Sequence, residues 1–353
     1  MFRAIEGVRV KVLENILVLD LTRLLPGAVA TQQLSDWGAE VIKVEDTHAG
    51  DYAREMNPPL FATTNRGKKS VSIDLKRAQG REVLMELARR ADVLIEGNRP
   101  GVMDRLGLSC ETLRGANPRL IYCSLTGYGQ SGPFAGLAGH DVNYMALGGV
   151  LGLSLPVIPG VQIADLVGGS MQAVTGILLA LLERAQTGVG RFVDVSMYAG
   201  VKSLLTVPLA AWRATAREPE TGQETLSGRY ACYNLYQASD ERWLAVGALE
   251  PKFWAELCLR LGCEDLIPRQ FDDAQDEVKG RIGSVFRTKP SAQWFDELRG
   301  SDCCVTLVRT VGEVAAELEA PEGTPAPALG QHTRELLDRF GFPASQIEEF
   351  ERE

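Results

Sequence analysis

Apolar runs of strand length alternate with helix-period segments along the first part of the chain. NILVLDL (15–21) is a continuous apolar run, and PGAVATQQLSDWG (26–38) opens on Pro26 and closes on Gly38, as helices commonly do. AEVIKVE (39–45), SVSIDLK (70–76), DVLIEG (92–97) and RLIYCSLTGYG (119–129) predict further strands, and AQGREVLMELARRA (78–91) predicts an amphipathic helix. A long apolar helix near Ala164–Arg184 is read as buried; GRFVDVSM (190–197) follows as a strand, then an apolar helix to about Trp212. Strands alternating with helices predict a mainly parallel sheet covered by helices, the α/β class.

The texture then changes. RATAREPETGQETLSG (213–228) is polar and contains Pro and Gly, which marks a linker. RYACYNLYQ and RWLAVGALE flank ASDE in the manner of a hairpin. Helices are predicted around 251–261, 276–287 and 290–299, and a short strand at CCVTLV (303–308), whose adjacent Cys303 and Cys304 read as small core residues. A second linker, APEGTPAPALG (320–330), precedes a helix at 331–341. The expected organisation is a large α/β domain over 1–212, a linker, a small α+β domain over 229–319, and a segment 320–353 returning to the large domain.

The totals add bounds. With 353 residues, 45% hydrophobic and 24% charged, the chain can form about two cores. Glu6, Arg9, Lys11 and Glu14 interrupt any signal-like start, and Asp165 with Gln172 interrupts the longest apolar helix, so neither a signal nor a membrane span is expected. Seven cysteines without paired metal spacing point to reduced thiols and a cytoplasmic home. A net charge of −9 argues against nucleic acid as a partner but leaves room for a phosphorylated small molecule at a local basic patch. The three histidines are scattered and no H-x-x-x-H or C-x-x-C is present, so no metal is expected.

Five stretches carry candidate chemistry. GYGQSG (127–132) matches G-x-G-x-x-G after a strand, yet Pro133 follows and no helix opens; a glycine-rich active-site loop fits better than a dinucleotide site. Arg66, Lys68, Lys69 and Lys76 cluster around one strand, and Arg99 and Arg105 follow another. They read either as a solvated edge or as phosphate ligands at the carboxyl ends of a parallel sheet. Asp165 opens a long helix, as an N-cap or as a pocket carboxylate, with Gly168 and Gly169 allowing close approach of a ligand. AGHDVNYMALGG sets His140 beside Asp141 among small and apolar residues, as a held core histidine or as a proton-transfer group.

Together, ILVLDLTRLLPGAVATQQLSDWGAEVIKVE, NRGKKSVSIDLK, VLIEGNRPGVMDRLGL, LTGYGQSGP, AGHDVNYMALGG and TGVGRFVDVSM resemble the family III CoA-transferase (CaiB/BaiF) superfamily. The resemblance covers nearly the whole chain. It implies a Rossmann-like large domain, a smaller domain, interlocked homodimers and an acyl-CoA substrate, with coenzyme A arriving as part of the substrate and no prosthetic group. In its transferases an aspartate matching Asp165 is the nucleophile; in its α-methylacyl-CoA racemases a histidine in AGHD and that aspartate are paired bases. AGHDVNY and GALEPKFW are similar to the racemase version. The resemblance thus implies His140 and Asp165 as catalytic, Asp141 and Glu250 as auxiliaries, and CoA contacts at Ile73, Leu75, Lys76, Gly97, Arg99, Arg105 and Tyr144. The segment between His140 and Asp165 is shorter than in typical racemases. Asp46 occupies a position where many relatives carry a phosphate-binding arginine, for which Lys43, Arg66 or Lys68 could substitute.

The implied racemase chemistry suits these residue types. Inverting a carbon beside a thioester needs two bases on opposite faces of a planar enolate. An imidazole, with an ordinary pKa of about 6.5, serves as one. A carboxylate serves as the other once desolvation makes it basic enough, and amides near Asp165 would hold the enolate oxygen.

Overall fold

The computed structural model describes residues 11–318 and 324–351. Residues 1–10 of the expected large domain and 320–323 of the expected second linker lie outside the described residues. The chain forms two compact units, one containing the residues up to Leu151, Val157–Val207 and the C-terminal segment, the other Gly152–Pro156 and the chain from Pro208 to the second linker.

The first unit is built on strands β1 (Leu17–Leu21), β2 (Glu40–Glu45), β3 (Lys69–Ser72), β4 (Val93–Glu96), β5 (Ile121–Thr126) and β6 (Phe192–Ser196). All pairs are parallel and the order is β3-β2-β1-β4-β5-β6. A sheet covered by helices on both faces buries every side chain of its central strands, which explains their continuous apolar runs. Val18, Leu19, Val93, Leu94 and Ile95 have no exposed surface. The order reverses between β1 and β4, and a crevice opens at such a point beyond the strands' carboxyl ends.

β3 is an edge strand, and the C-terminal segment covers it. The His332 N–H donates to Ser70 O at 2.9 Å, the Ser70 N–H to His332 Nδ1 at 3.1 Å, and the Ser72 N–H to Thr333 Oγ1 at 3.0 Å. An uncovered edge is a template for aggregation, so His332 has a structural task here.

Several boundaries differ from expectation. The first helix spans Leu24–Asp36, so Pro26 lies inside its first turn rather than at its start. β3 ends at Ser72, leaving Leu75 and Lys76 beyond the strand. The apolar helix expected to be buried is two-faced. In Gln172–Thr187, Ala173, Ile177, Ala180 and Arg184 recur at helical spacing on the buried side, whereas Leu179 and Leu182 are 62% and 65% exposed. By length and composition alone Ala164–Thr187 could cross a membrane; its buried side packs in the same core as β5 and β6.

Its first eight residues, Ala164–Met171, are wound wider than an α-helix, as a π-helix. This segment packs backbone to backbone on the helix Met197–Lys202. A Cβ on Gly200 would stand 2.2 Å from Gly168 O, and one on Gly168 would stand 2.7 Å from Met197 O. Gly168 and Gly169 therefore serve helix packing, not close approach of a ligand as the sequence suggested. Gly200→Ala should cost about 1–3 kcal/mol, because backbone atoms on both sides cannot give way. Urea denaturation would read this, and an unchanged midpoint would refute the packing argument.

The second unit carries an antiparallel sheet, β7 (Tyr233–Gln237), β8 (Trp243–Gly247) and β9 (Val305–Leu307), in the order β7-β8-β9. Helices Pro251–Leu261, Gln275–Phe286 and Ser291–Leu298 share its core around Trp254 and Phe286. The adjacent cysteines are not strand residues: both precede β9, and Cys304 is exposed with φ +50° while Cys303 is buried.

Candidate active site

A cavity of about 500 Å³ opens in the first unit at the reversal point. Thr22 and Arg23 line it from the end of β1, Gly97 and Arg99 from the end of β4, and Thr126, Gly127 and Tyr128 from the end of β5. Gly139, His140, Asn143 and Tyr144 close it from the helix Asp141–Leu147 and its approach.

Four fully buried charges support the β1 side. Lys43 Nζ lies 2.8 Å from Asp51 and 3.8 Å from Asp20, and Lys68 Nζ lies 3.2 Å from Asp20. Burial by itself would raise the Asp20 pKa, but the two ammonium groups and the Thr22 and Thr31 hydroxyls bring it down to about 2. Burial, reinforced by the like charge of Lys43, lowers Lys68 to about 8. This quartet grips the segment after β1. Thr22 donates its N–H and hydroxyl to Asp20, Thr22 O accepts from Lys43, and the Leu24 N–H donates to Asp51. Leu24 has φ +61°, a conformation that a leucine keeps only when its surroundings enforce it. Lys43 and Lys68, suggested by the sequence as phosphate ligands, are thereby corrected to internal structural charges. Arg66 forms an ion pair with Asp36 at 2.7 Å, and Lys69 pairs with Glu335 and Glu40.

The loops after β4 and β5 are joined through Glu96. It accepts the Asn98 N–H at 2.7 Å and the Ser124 hydroxyl, while Ser124 accepts from Gln130 Nε2 at 2.6 Å. Burial pushes the Glu96 carboxyl up. The glycines of GYGQSG have a steric purpose. A Cβ on Gly127 would fall 2.4 Å from the Tyr144 ring, and Gly129 and Gly132 have φ +88° and +102°. The Tyr144 hydroxyl donates to Gly139 O, and its ring meets Tyr128 edge-on at 5.0 Å. Burial, then the charge of Asp165, raises the Tyr144 pKa to about 12, so it stays protonated.

Asp165 is the second residue of the π-helix, not its N-cap. Its N–H donates to Asp141 Oδ1 at 3.0 Å, and the Leu166 N–H is bonded to Gln162 O, so neither amide is free for an oxyanion. Burial is the main cause that raises the Asp165 carboxyl to about 6, the charge of Asp141 adds to it, and His140 acts in the opposite direction. His140, Asp141 and Asp165 therefore form one electrostatic group, of which His140 lines the cavity while Asp141 and Asp165 stand outside its lining. His140 itself is exposed to the cavity mouth, and of the histidines only it is among the lining residues.

Gly97, Arg99 and Tyr144 line the cavity. Ile73 is buried in the core, Leu75 packs against that core, and Lys76 and Arg105 are exposed away from the lining. Glu250 stands in the second unit, exposed, just before the helix Pro251–Leu261. Sequence reasoning passed over Arg23, Asn98, Tyr128 and Asn143. Their place directly after strands or beside His140 was the available signal.

The family model for CoA-transferase family III matches residues 13–333. Among curated proteins, the alpha-methylacyl-CoA racemase of Homo sapiens is 36% identical over 95% of both chains. The succinyl-CoA:glutarate CoA-transferase of Mus musculus is 31% identical over 93% of this chain and 86% of its own. A solved CAIB/BAIF family protein from Brucella suis superposes with a TM-score of 0.79 at 26% identity, covering 93% of this chain and 99% of that one.

Proposed function

The chain belongs to CoA-transferase family III, and from that premise we propose that it is an acyl-CoA racemase that inverts the α-carbon of a 2-methylacyl-CoA. The observation that carries this reading is the Asp165 carboxyl raised to about 6 within reach of the His140 charge. A general acid or base is most effective when its pKa lies near the working pH. In one direction neutral His140 takes the α-proton while protonated Asp165 returns one to the other face; in the reverse direction imidazolium and carboxylate exchange these tasks. Asp141 holds the start of the Asp165 helix and keeps that carboxyl basic. Arg99, which lines the cavity, suits a phosphate of CoA. In this reading the enzyme is cytoplasmic, acts as a homodimer and needs no prosthetic group; the exposed Leu179 and Leu182 support the dimer by offering an apolar face to a second copy.

The rival reading is CoA transfer between an acyl-CoA and a carboxylic acid, with Asp165 as nucleophile, favoured by the transferases among the relatives. Incubation of a 2-methylacyl-CoA in D2O without an acceptor acid separates them. Deuterium entering the α-position, followed by NMR, supports racemisation; no entry, with CoA passing to added acid, rejects it.

The pH dependence separates them as well. Racemisation needs one proton shared by the pair, so its rate falls on both sides of an optimum, and the limbs belong to the pair rather than to either residue. An aspartate at its ordinary 3.8 would place the acid limb near pH 4, whereas the raised carboxyl moves that limb upward. Transfer needs only the ionised carboxylate and shows a rise through about 6 without the alkaline fall. A raised carboxyl also destabilises the fold fully above its folded pKa, and not at all below its unfolded one. Asp165→Asn should thus stabilise the protein at pH 7 by about 1–2 kcal/mol, allowing for partial exposure, and the gain should vanish as the pH falls from about 6 to 4. Denaturant midpoints at both pH values check the sign.

A further inference from the structure

Asn143 is the third residue of the helix Asp141–Leu147 and lines the cavity beside His140. Its Oδ1 accepts the His140 N–H at 3.0 Å. A side-chain amide has one accepting end and one donating end, and a backbone N–H satisfies only the first, so this bond decides which way the amide is turned. The Nδ2 end is left without a hydrogen-bond partner among the described residues.

Several other donors around His140 are committed. The Asp165 N–H goes to Asp141 and the Leu166 N–H to Gln162 O. The Tyr144 hydroxyl donates to Gly139 O, and the Thr22 hydroxyl to Asp20. Arg23 is held by Asp46 at 3.2 Å and by the Tyr52 hydroxyl at 2.7 Å. Negative charge developing in the cavity requires a donor already in place, because reorienting one during the reaction would raise the barrier.

We propose that the Asn143 Nδ2–H donates a hydrogen bond to the thioester carbonyl oxygen of the bound acyl-CoA and stabilises the enolate. The proposal rests on the acyl-CoA reading of the cavity and deepens it by naming the oxyanion donor. As the α-carbon–hydrogen bond breaks, the proton passes to the base on that face, and the electron pair forms a double bond to the carbonyl carbon. The displaced carbonyl electrons collect on the oxygen, where Asn143 meets them. Protonation from the opposite face reverses these shifts. The bond from Oδ1 to the His140 backbone thereby ties the oxyanion donor to the backbone that carries the base.

Two variants test it. Asn143→Asp keeps an oxygen for the His140 N–H but has no N–H to donate; Asn143→Ala loses both and adds no charge. For each, kcat and KM of α-deuterium exchange would be measured with a 2-methylacyl-CoA. The carbonyl stretch of the bound ligand, labelled with 13C at the thioester carbon, would be recorded by infrared difference spectroscopy. Both variants should lose about 10²–10³-fold in kcat with KM little changed. In both, the carbonyl band should return towards its position in free solution. An Asn143→Asp enzyme with wild-type kcat and an unshifted band would overturn the proposal and leave Asn143 only the task of holding His140. Wild-type protein that shows the shifted band without deuterium exchange would reject racemisation while sustaining the donor assignment through the two variants' bands. Failure of the wild-type protein to bind any acyl-CoA would overturn both.

Discussion

Replacing His140 by alanine should lower deuterium exchange at the α-carbon of a 2-methylacyl-CoA by about 10³-fold, the middle of the range for loss of a positioned acid–base group. Both directions of inversion should suffer together, since the imidazole is base in one and, once protonated, acid in the other. Stability should hardly change, because the side chain is exposed at the cavity and lies outside the core. Transfer of CoA to an added carboxylic acid, if the protein catalyses it, should survive, as Asp165 would remain to attack the thioester. Thermal melting before the assay separates a chemical effect from a folding one. Exchange at the wild-type rate in His140→Ala would end the two-base mechanism.

The second large effect is on stability. Asp20→Asn should destabilise the protein by about 3–5 kcal/mol, since removing one member of a buried ion group strands the others in a medium that cannot solvate them. Among the described residues Asp20 is the only carboxylate paired with Lys68, and it also accepts from Thr22 and Thr31. Against a total stability of about 5–15 kcal/mol, that loss is severe. The physical claim is that an unpaired charge does the damage, and a second substitution isolates it. Adding Lys68→Met to Asp20→Asn removes the stranded ammonium while keeping an unbranched chain in the space, so the double variant should be more stable than the single one. A double variant no better than Asp20→Asn would refute this account. Because the quartet also grips Thr22 and Leu24, Asp20→Asn protein that does fold should bind acyl-CoA less tightly.

Much of the parallel sheet was legible because its strands are buried on both faces, and such strands are written as unbroken apolar runs between turn signals. The exception within them, Asp20, is invisible to periodicity: a carboxylate in the middle of LVLDL becomes tolerable only when Lys43 and Lys68 arrive from distant segments. Those same lysines misled the sequence reading, since a run such as GKKS looks alike whether its first lysine is solvated or sealed in. Gly168 and Gly169 misled it as well, because a glycine needed for helix contact and one needed for ligand approach share the same letter. The apolar helix after Asp165 was read as buried for a related reason. Hydrophobicity reports that a surface avoids water, not which chain covers it.

From its residues this protein's parallel α/β architecture, its antiparallel appendage and, through the motifs it resembles, its family could be read. These depend on local spacing and on short runs of sequence. Tertiary structure decided the protonation behaviour of Asp165, the inward burial of two lysines, the steric need for Gly127 and the turn of the Asn143 amide. Each of these depends on how much water and which charges surround a group, and that environment is assembled from segments far apart in the chain.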